Sequence, residues 1–224
     1  MKNLLTLSII IIFGLFSLPA ARSQENTQIL LTWQANNFYP ADYQGKPLPT
    51  PNSRVTVALE VLKNNKFLNL NQANIFWLLD DKPLDNGRGL KEVSFVVKKR
   101  EGDNHVVRVT VQLENQNLES LIRIPISKKI IVIENSHSDK PVPANSEITL
   151  RAIPYFFNIA SLNDLSFSWQ ADTEKETNLG DNHLVLKIGQ PKTLEQSSIL
   201  ISSFVQNVRN PLEFAEAKLK LSIF

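Results

Sequence analysis

The residues of this chain best suited to chemistry are three histidines, His105, His137 and His183, and the acidic group Asp80, Asp81 and Asp85. A general acid or base needs a partner fixed within hydrogen-bond reach. No histidine lies in a His-Glu-x-x-His pattern, no Gly-x-Ser-x-Gly elbow occurs, and no glycine-rich phosphate loop is present. No catalytic residue is therefore assigned, and the chain reads as a protein other than an enzyme. His105 and His183 each stand at the start of a predicted strand and are expected at the surface. Asp80, Asp81 and Asp85, with Asn86 beside them, crowd the stretch after Trp77. Calcium takes six to eight oxygen ligands, so this trio is the one weak calcium candidate. The spacing is not that of an EF-hand loop, and an ordinary acidic turn is the favoured reading. No cofactor or metal is expected.

A second group could recognise rather than react. Trp33, Phe38, Tyr39 and Tyr43 fall within the stretch Trp33 to Gly45, together with Pro40. Two readings are open. The stretch could present a binding surface, with Trp33, Tyr39 and Tyr43 stacking on a sugar. It could instead fold back to cap the first core or a domain junction, because large aromatic residues are usually at least partly buried. The second reading is favoured. A further aromatic run, Pro154-Tyr155-Phe156-Phe157, is expected to close one end of a second unit or to pack between units.

Composition narrows the classes. The chain has 224 residues, 42% hydrophobic and 21% charged, with 12 Pro, 7 Gly and no Cys. The apolar fraction supports real cores, and the length fits one large or two ordinary domains. Lack of Cys excludes a disulfide framework, a zinc–thiolate site and a cysteine nucleophile. Residues 1–23 read as a signal peptide: Lys2, an apolar run from Leu4 to Leu18, then Ala21-Arg22-Ser23. That run is short of the roughly 20 residues that span a bilayer, so membrane attachment is expected only if the segment stays uncleaved. It carries Lys2 and Arg22, so its removal takes 24 basic residues to 22, against 22 acidic ones. A neutral chain gives no nucleic-acid signal. Export without Cys, and without an Asn-x-Ser/Thr acceptor, points to a bacterial exported protein.

The elements that must position these residues are duplicated. Lys46-Pro47-Leu48-Pro49 recurs as Lys140-Pro141-Val142-Pro143, and Asn52-Ser53 recurs as Asn145-Ser146. Leu70-Asn71, Trp77 and Asp80 recur as Leu162-Asn163, Trp169 and Asp172. Leu118-Glu119 recurs as Leu212-Glu213, and all the spacings lie between 92 and 94 residues. Ordered matches at one spacing indicate two homologous domains, 24–127 and 128–224, joined near Ser127 to Lys129. Each copy alternates apolar and polar residues in short Val- and Ile-rich runs, the mark of half-buried strands. Arg54 to Leu62, Asn74 to Leu79, Lys91 to Lys98, His105 to Leu113 and Leu118 to Ile126 read as strands in the first copy. Asp85-Asn86-Gly87 reads as a turn. Leu62 to Asn71 and Asn158 to Asp164 each have room for one short helical turn.

At Ile75-Phe76-Trp77-Leu78-Leu79-Asp80 and Phe167-Ser168-Trp169-Gln170-Ala171-Asp172 the chain resembles bacterial immunoglobulin-like and PKD-like repeats. The resemblance implies an all-β protein of two tandem immunoglobulin-like sandwiches. In it Trp77 and Trp169 pack between the sheets and an acidic residue opens the next turn. The expected role is that of a non-catalytic interaction or structural component of the cell envelope or surface, in adhesion or pilus and envelope assembly. A carbohydrate-binding module using Trp33 to Tyr43 is the alternative. The partner in either case is a protein or glycan of the envelope.

Overall fold

The computed structural model describes residues 27–114, 116–135, 141–172, 174–176, 181–191 and 197–224. The signal segment expected at 1–23, and His137, lie outside them.

In the first unit, β1 (Thr27–Asn36) pairs with β2 (Arg54–Lys63), and β2 pairs with the short β3 (Lys66–Phe67) and with β6 (Glu92–Val96). A second sheet runs β5 (Lys82–Arg88), β4 (Asn74–Leu79), β7 (Asn104–Leu113), β8 (Gln116–Pro125). All these pairs are antiparallel. Alternation sends Val55, Val57, Leu59 and Val61 from one sheet, and Val107, Val109 and Val111 from the other, into one core around Trp77.

The second unit repeats this order. One sheet is β13 (His183–Lys187), β10 (Glu147–Tyr155), β9 (Ile130–Asn135). The other is β12 (Glu174–Glu176), β11 (Leu165–Ala171), β14 (Ser198–Asn207), β15 (Phe214–Ser222). Its core gathers around Trp169 and includes Phe157, Phe167, Ile148 and Leu150. In both units the strand after the Trp strand pairs with it rather than crossing to the facing sheet. Two three-to-four-stranded antiparallel sheets packed over a tryptophan, twice in succession, are two tandem immunoglobulin-like sandwiches. Among the described residues no helix is long and apolar enough to cross a membrane.

The repeat is visible in the backbone. Asn52 and Asn145 both take left-handed conformations, with φ of 72° and 55°, in matching turns before β2 and β10. Asp80 and Asp172 do the same, at 51° and 49°. Each donates its N–H across to the neighbouring strand, to Val106 O and Leu200 O, both at 2.8 Å. Each carboxylate accepts the N–H of that same residue at 3.0 Å. Short polar side chains tolerate the left-handed region best, which explains why Asp and Asn hold these four positions.

Four expectations need correction. Trp33 is not in a loop: Ile29, Leu31, Trp33 and Ala35 alternate inward along β1, and Trp33 pairs with Val57. Asp85-Asn86-Gly87 is not a turn but part of β5, and the tight turn is Asp80-Asp81, both left-handed. Leu62 to Asn71 holds the β2–β3 hairpin rather than a helical turn, whereas Leu162–Asp164 does form a 3₁₀ turn. Leu118-Glu119 and Leu212-Glu213 are not equivalent. Val111 faces Leu118, whereas its counterpart Val205 faces Ala215, because the loop before β15 is longer than the turn before β8.

Candidate interaction site at the domain junction

The aromatic stretch and the second aromatic run meet between the two sandwiches. After β1 the chain crosses to the second unit. Phe38 N–H donates to Phe157 O at 2.7 Å and Phe156 N–H donates to Phe38 O at 2.6 Å, one rung of antiparallel pairing between domains. Tyr43 packs edge-on against Tyr155 (centroids 5.5 Å apart, 72°) and Phe156 (5.8 Å, 69°), with Tyr39 at 6.0 Å. Edge-to-face geometry suits the opposite charges of ring edge and ring face. Gly45 makes room for this: a Cβ there would stand 2.3 Å from the Tyr43 hydroxyl. Burial pushes the Tyr155 hydroxyl up from its ordinary pKa, and the charges of Asp42, Glu134 and Tyr43 add to that, against Arg151.

Trp33 belongs with the first core rather than with this cluster. Lys46 Nζ sits 3.8 Å above its ring centroid, a cation–π contact, and burial lowers the Lys46 pKa. Trp33, Tyr39 and Tyr43 therefore form no flat stacking platform. One ring is capped by an ammonium, and the other two are tilted 59° to each other.

Beneath the aromatics lies a polar lock. Thr50 Oγ1 donates to Phe156 O at 3.0 Å, and Ser53 Oγ donates to Asn158 Oδ1 at 2.8 Å. Asn158 Nδ2 donates to Pro51 O and to Glu213 Oε1, both at 3.0 Å, and Asn158 N–H donates to Glu213 Oε1 at 2.6 Å. Asn207 Nδ2 donates to Glu213 Oε2 at 2.8 Å. Glu213 is 4% exposed. A buried carboxylate is tolerable only when its oxygens are hydrogen-bonded, as both are here. Phe156 itself has φ of 66°, a conformation costly for a bulky residue. Its N–H and C=O are both held by the first domain, which keeps it there.

A cleft of about 230 Å³ opens beside the lock, lined by Asn52, Asn158, Asp164, Asn207, Arg209 and Glu213. It is smaller than a typical small-molecule pocket of ~300–1,000 Å³. A wider polar hollow of about 480 Å³, including Lys63, Asn69, Arg88 and Gln112, lies at the end of the first sandwich where β1 begins.

The acidic trio does not converge. Asp80 accepts from Lys99 Nζ at 2.8 Å and lies 2.7 Å from His105 Nδ1, while Asp81 pairs with Arg108 and Asp85 accepts from Asn86 N–H. Asp85 stands opposite Trp77 on β5, away from the turn. The calcium candidate is thus replaced by separate structural contacts, and no group of three or more acidic or histidine ligands forms among the described residues. Burial alone would raise the Asp80 pKa. Hydrogen bonds from Lys99 and Val106, with the His105 contact, outweigh it and hold the carboxyl below its ordinary value.

His105 is also corrected: it is buried, 3% exposed, with its ring edge-on to Phe95 at 5.1 Å. His183 is exposed as expected and contacts Asp181. Trp77 and Trp169 are each 1% exposed at the centres of their sandwiches. Trp77 Nε1 donates to Leu90 O at 2.9 Å, whereas Trp169 Nε1 has no partner among the described residues. Thr50, Ser53 and Asn158 carry the polar part of the junction, with Glu213 holding Asn158 in place, and no sequence pattern singles them out.

No family model matches the chain, and no curated protein matches it in sequence. Solved structures similar to it are tandem domains at low identity. The three N-terminal domains of the bacteriophage RB49 highly immunogenic outer capsid protein align over 88% of this chain (12% identity, TM-score 0.45). The chain spans 59% of the length of that fragment. Fibronectin(III)-like modules of Clostridium thermocellum CbhA align over 87% of this chain and 93% of theirs (9% identity, TM-score 0.29). Sidekick-1 immunoglobulin domains 1–5 align over 91% of this chain and 40% of theirs (10% identity, TM-score 0.32).

Proposed function

We propose that this protein is an exported, non-catalytic interaction component of the bacterial cell envelope or surface, built as a stiff two-domain spacer that presents binding faces. The observation that carries this reading is the junction. Aromatic and polar residues of both units hold the two sandwiches together, through Phe38–Phe157 pairing and the contacts of Asn158 with Ser53 and Pro51. Neither the buried His105 nor the dispersed Asp80, Asp81 and Asp85 offers a nucleophile, base and oxyanion donor around one reacting atom. A rigid tandem keeps binding faces at fixed separation, which lowers the ordering cost of association.

Crosslinking on intact producing cells, with mass spectrometry of what is joined to the chain, tests this. A reproducible envelope protein linked through an exposed sheet face is the expected result. Recovery of the chain only from the cytoplasm, or a hydrolytic or transfer activity abolished by His105→Ala in a folded variant, overturns it.

A further inference from the structure

The outer face of β14 and β15 leaves two adjacent aromatic side chains of the second sandwich exposed. Phe204 and Phe214 lie side by side with centroids 5.5 Å apart and planes 32° from each other. They are 37% and 50% exposed, and Leu200, 48% exposed, shares the face. The inward residues of β15, Ala215, Ala217 and Leu219, already pack on the core, so domain packing does not account for the outer set. Lone exposed apolar residues are ordinary; two adjacent phenylalanines on one outer face form a small apolar patch that a partner can cover.

Register arranges this face in four rows. Gln206 stands beside Phe214, Phe204 beside Glu216, Ser202 beside Lys218, and Leu200 beside Lys220. Ser166, Ser168 and Gln170 of β11 continue the rows with small or polar side chains, which lets another flat surface approach. The order along β15 is aromatic, acid, base, base.

We propose that the protein self-associates as a two-fold dimer through this face. A two-fold axis between the second and third rows maps Phe204–Glu216 onto the second copy's Ser202–Lys218 row, and Gln206–Phe214 onto the Leu200–Lys220 row. Glu216 of one copy then meets Lys218 of the other, twice. Phe214 receives the ammonium of Lys220 on its ring, and Phe204 lies over the small Ser202, beside Leu200. An isologous contact needs a patch complementary to itself under rotation, and this charge order has that property. Within one chain Glu216 and Lys218 are 3.2 Å apart and about half exposed, free to exchange partners at little cost. Four rows spaced ~7 Å on three strands ~4.8 Å apart cover roughly 28 by 15 Å. That is below the ~800 Å² per partner of a standard stable interface, so the dimer is weak and forms at micromolar or higher concentration. This inference does not depend on the export reading.

Sedimentation equilibrium of the purified protein, from about 1 µM to about 1 mM, tests it across the range expected of a weak interface. The expected result is a dimer at the upper end. Glu216→Lys and Lys218→Glu each weaken association about tenfold or more. An equimolar mixture of the two regains it, because in the heterodimer the paired lysines of one variant face the paired glutamates of the other. Phe214→Ser yields a monomer that still folds, its melting temperature lowered only by the lost contact with Phe204. A wild-type protein monomeric to the top of the range, or charge variants whose mixture stays monomeric, overturns the proposal.

Discussion

Asn158→Ala is the most informative perturbation of the junction. Its side chain accepts from Ser53 Oγ and donates to Pro51 O and Glu213 Oε1. Two of these three contacts cross between domains and the third donates a hydrogen bond to a carboxylate that is 4% exposed. A neutral hydrogen bond contributes a net ~1 kcal/mol, and one to a charged group ~1.5–3 kcal/mol. The Asn158 N–H to Glu213 bond survives the truncation, so part of the carboxylate's compensation remains. The expected loss is therefore about 2–4 kcal/mol. Urea unfolding followed by tryptophan fluorescence reads it, because Trp77 and Trp169 report on separate cores. The two transitions should coincide in the parent, and the variant should lower the joint stability and separate them. Asn163→Ala, at an exposed neighbouring position, should stay within about 0.5 kcal/mol. If Asn158→Ala also changes stability by less than about 0.5 kcal/mol, the lock contributes nothing and the reasoning fails.

Other outcomes follow from the same geometry. Trp77→Phe should cost about 1 kcal/mol more than Trp169→Phe, since it leaves a carbonyl, Leu90 O, without its donor, whereas Trp169 Nε1 has no partner among the described residues; equal losses in chemical denaturation would contradict this. Asp80 titrates below its unfolded value, so its stabilisation is present above the unfolded carboxyl pKa of ~3.9 and is lost as pH falls through the lower folded value. Asp80→Asn should flatten the acid limb of a stability–pH curve below about pH 4; an unchanged limb would remove that role. Gly45→Ala should expel the Tyr43 ring from Tyr155 and Phe156, seen as lost ring-current shifts in the Tyr155 resonances; retained shifts would show that the loop yields instead.

Much of the fold is legible in the sequence because strand alternation and turn chemistry are local. The matching Asn52 and Asn145, and Asp80 and Asp172, sit at left-handed positions where few other residues fit, so the duplication survives in those letters. Trp77 and Trp169 stand on the inward phase of their strands and are buried accordingly. His105 misleads because it stands at the start of its strand, a place that suggests the surface. It shares the phase of Val107, Val109 and Val111, and a polar residue on an inward phase is buried if a partner such as Asp80 exists. Asp-Asn-Gly at 85–87 misleads because its turn propensity is overridden by pairing with β4. Trp33 misleads because its aromatic neighbours in sequence lie past the end of β1. Glu213 cannot be read at all. Its burial depends on Asn158 and Asn207, which only the tertiary fold brings to it.

The central claim is that two immunoglobulin-like sandwiches are held at one angle by the contacts of Phe38, Thr50 and Ser53 with Phe156, Phe157 and Asn158. Small-angle X-ray scattering of the protein at low concentration tests it most directly. The account predicts a profile fitted by the single arrangement described here, unchanged with temperature up to the unfolding transition. A profile that requires a broad ensemble of interdomain angles would contradict it.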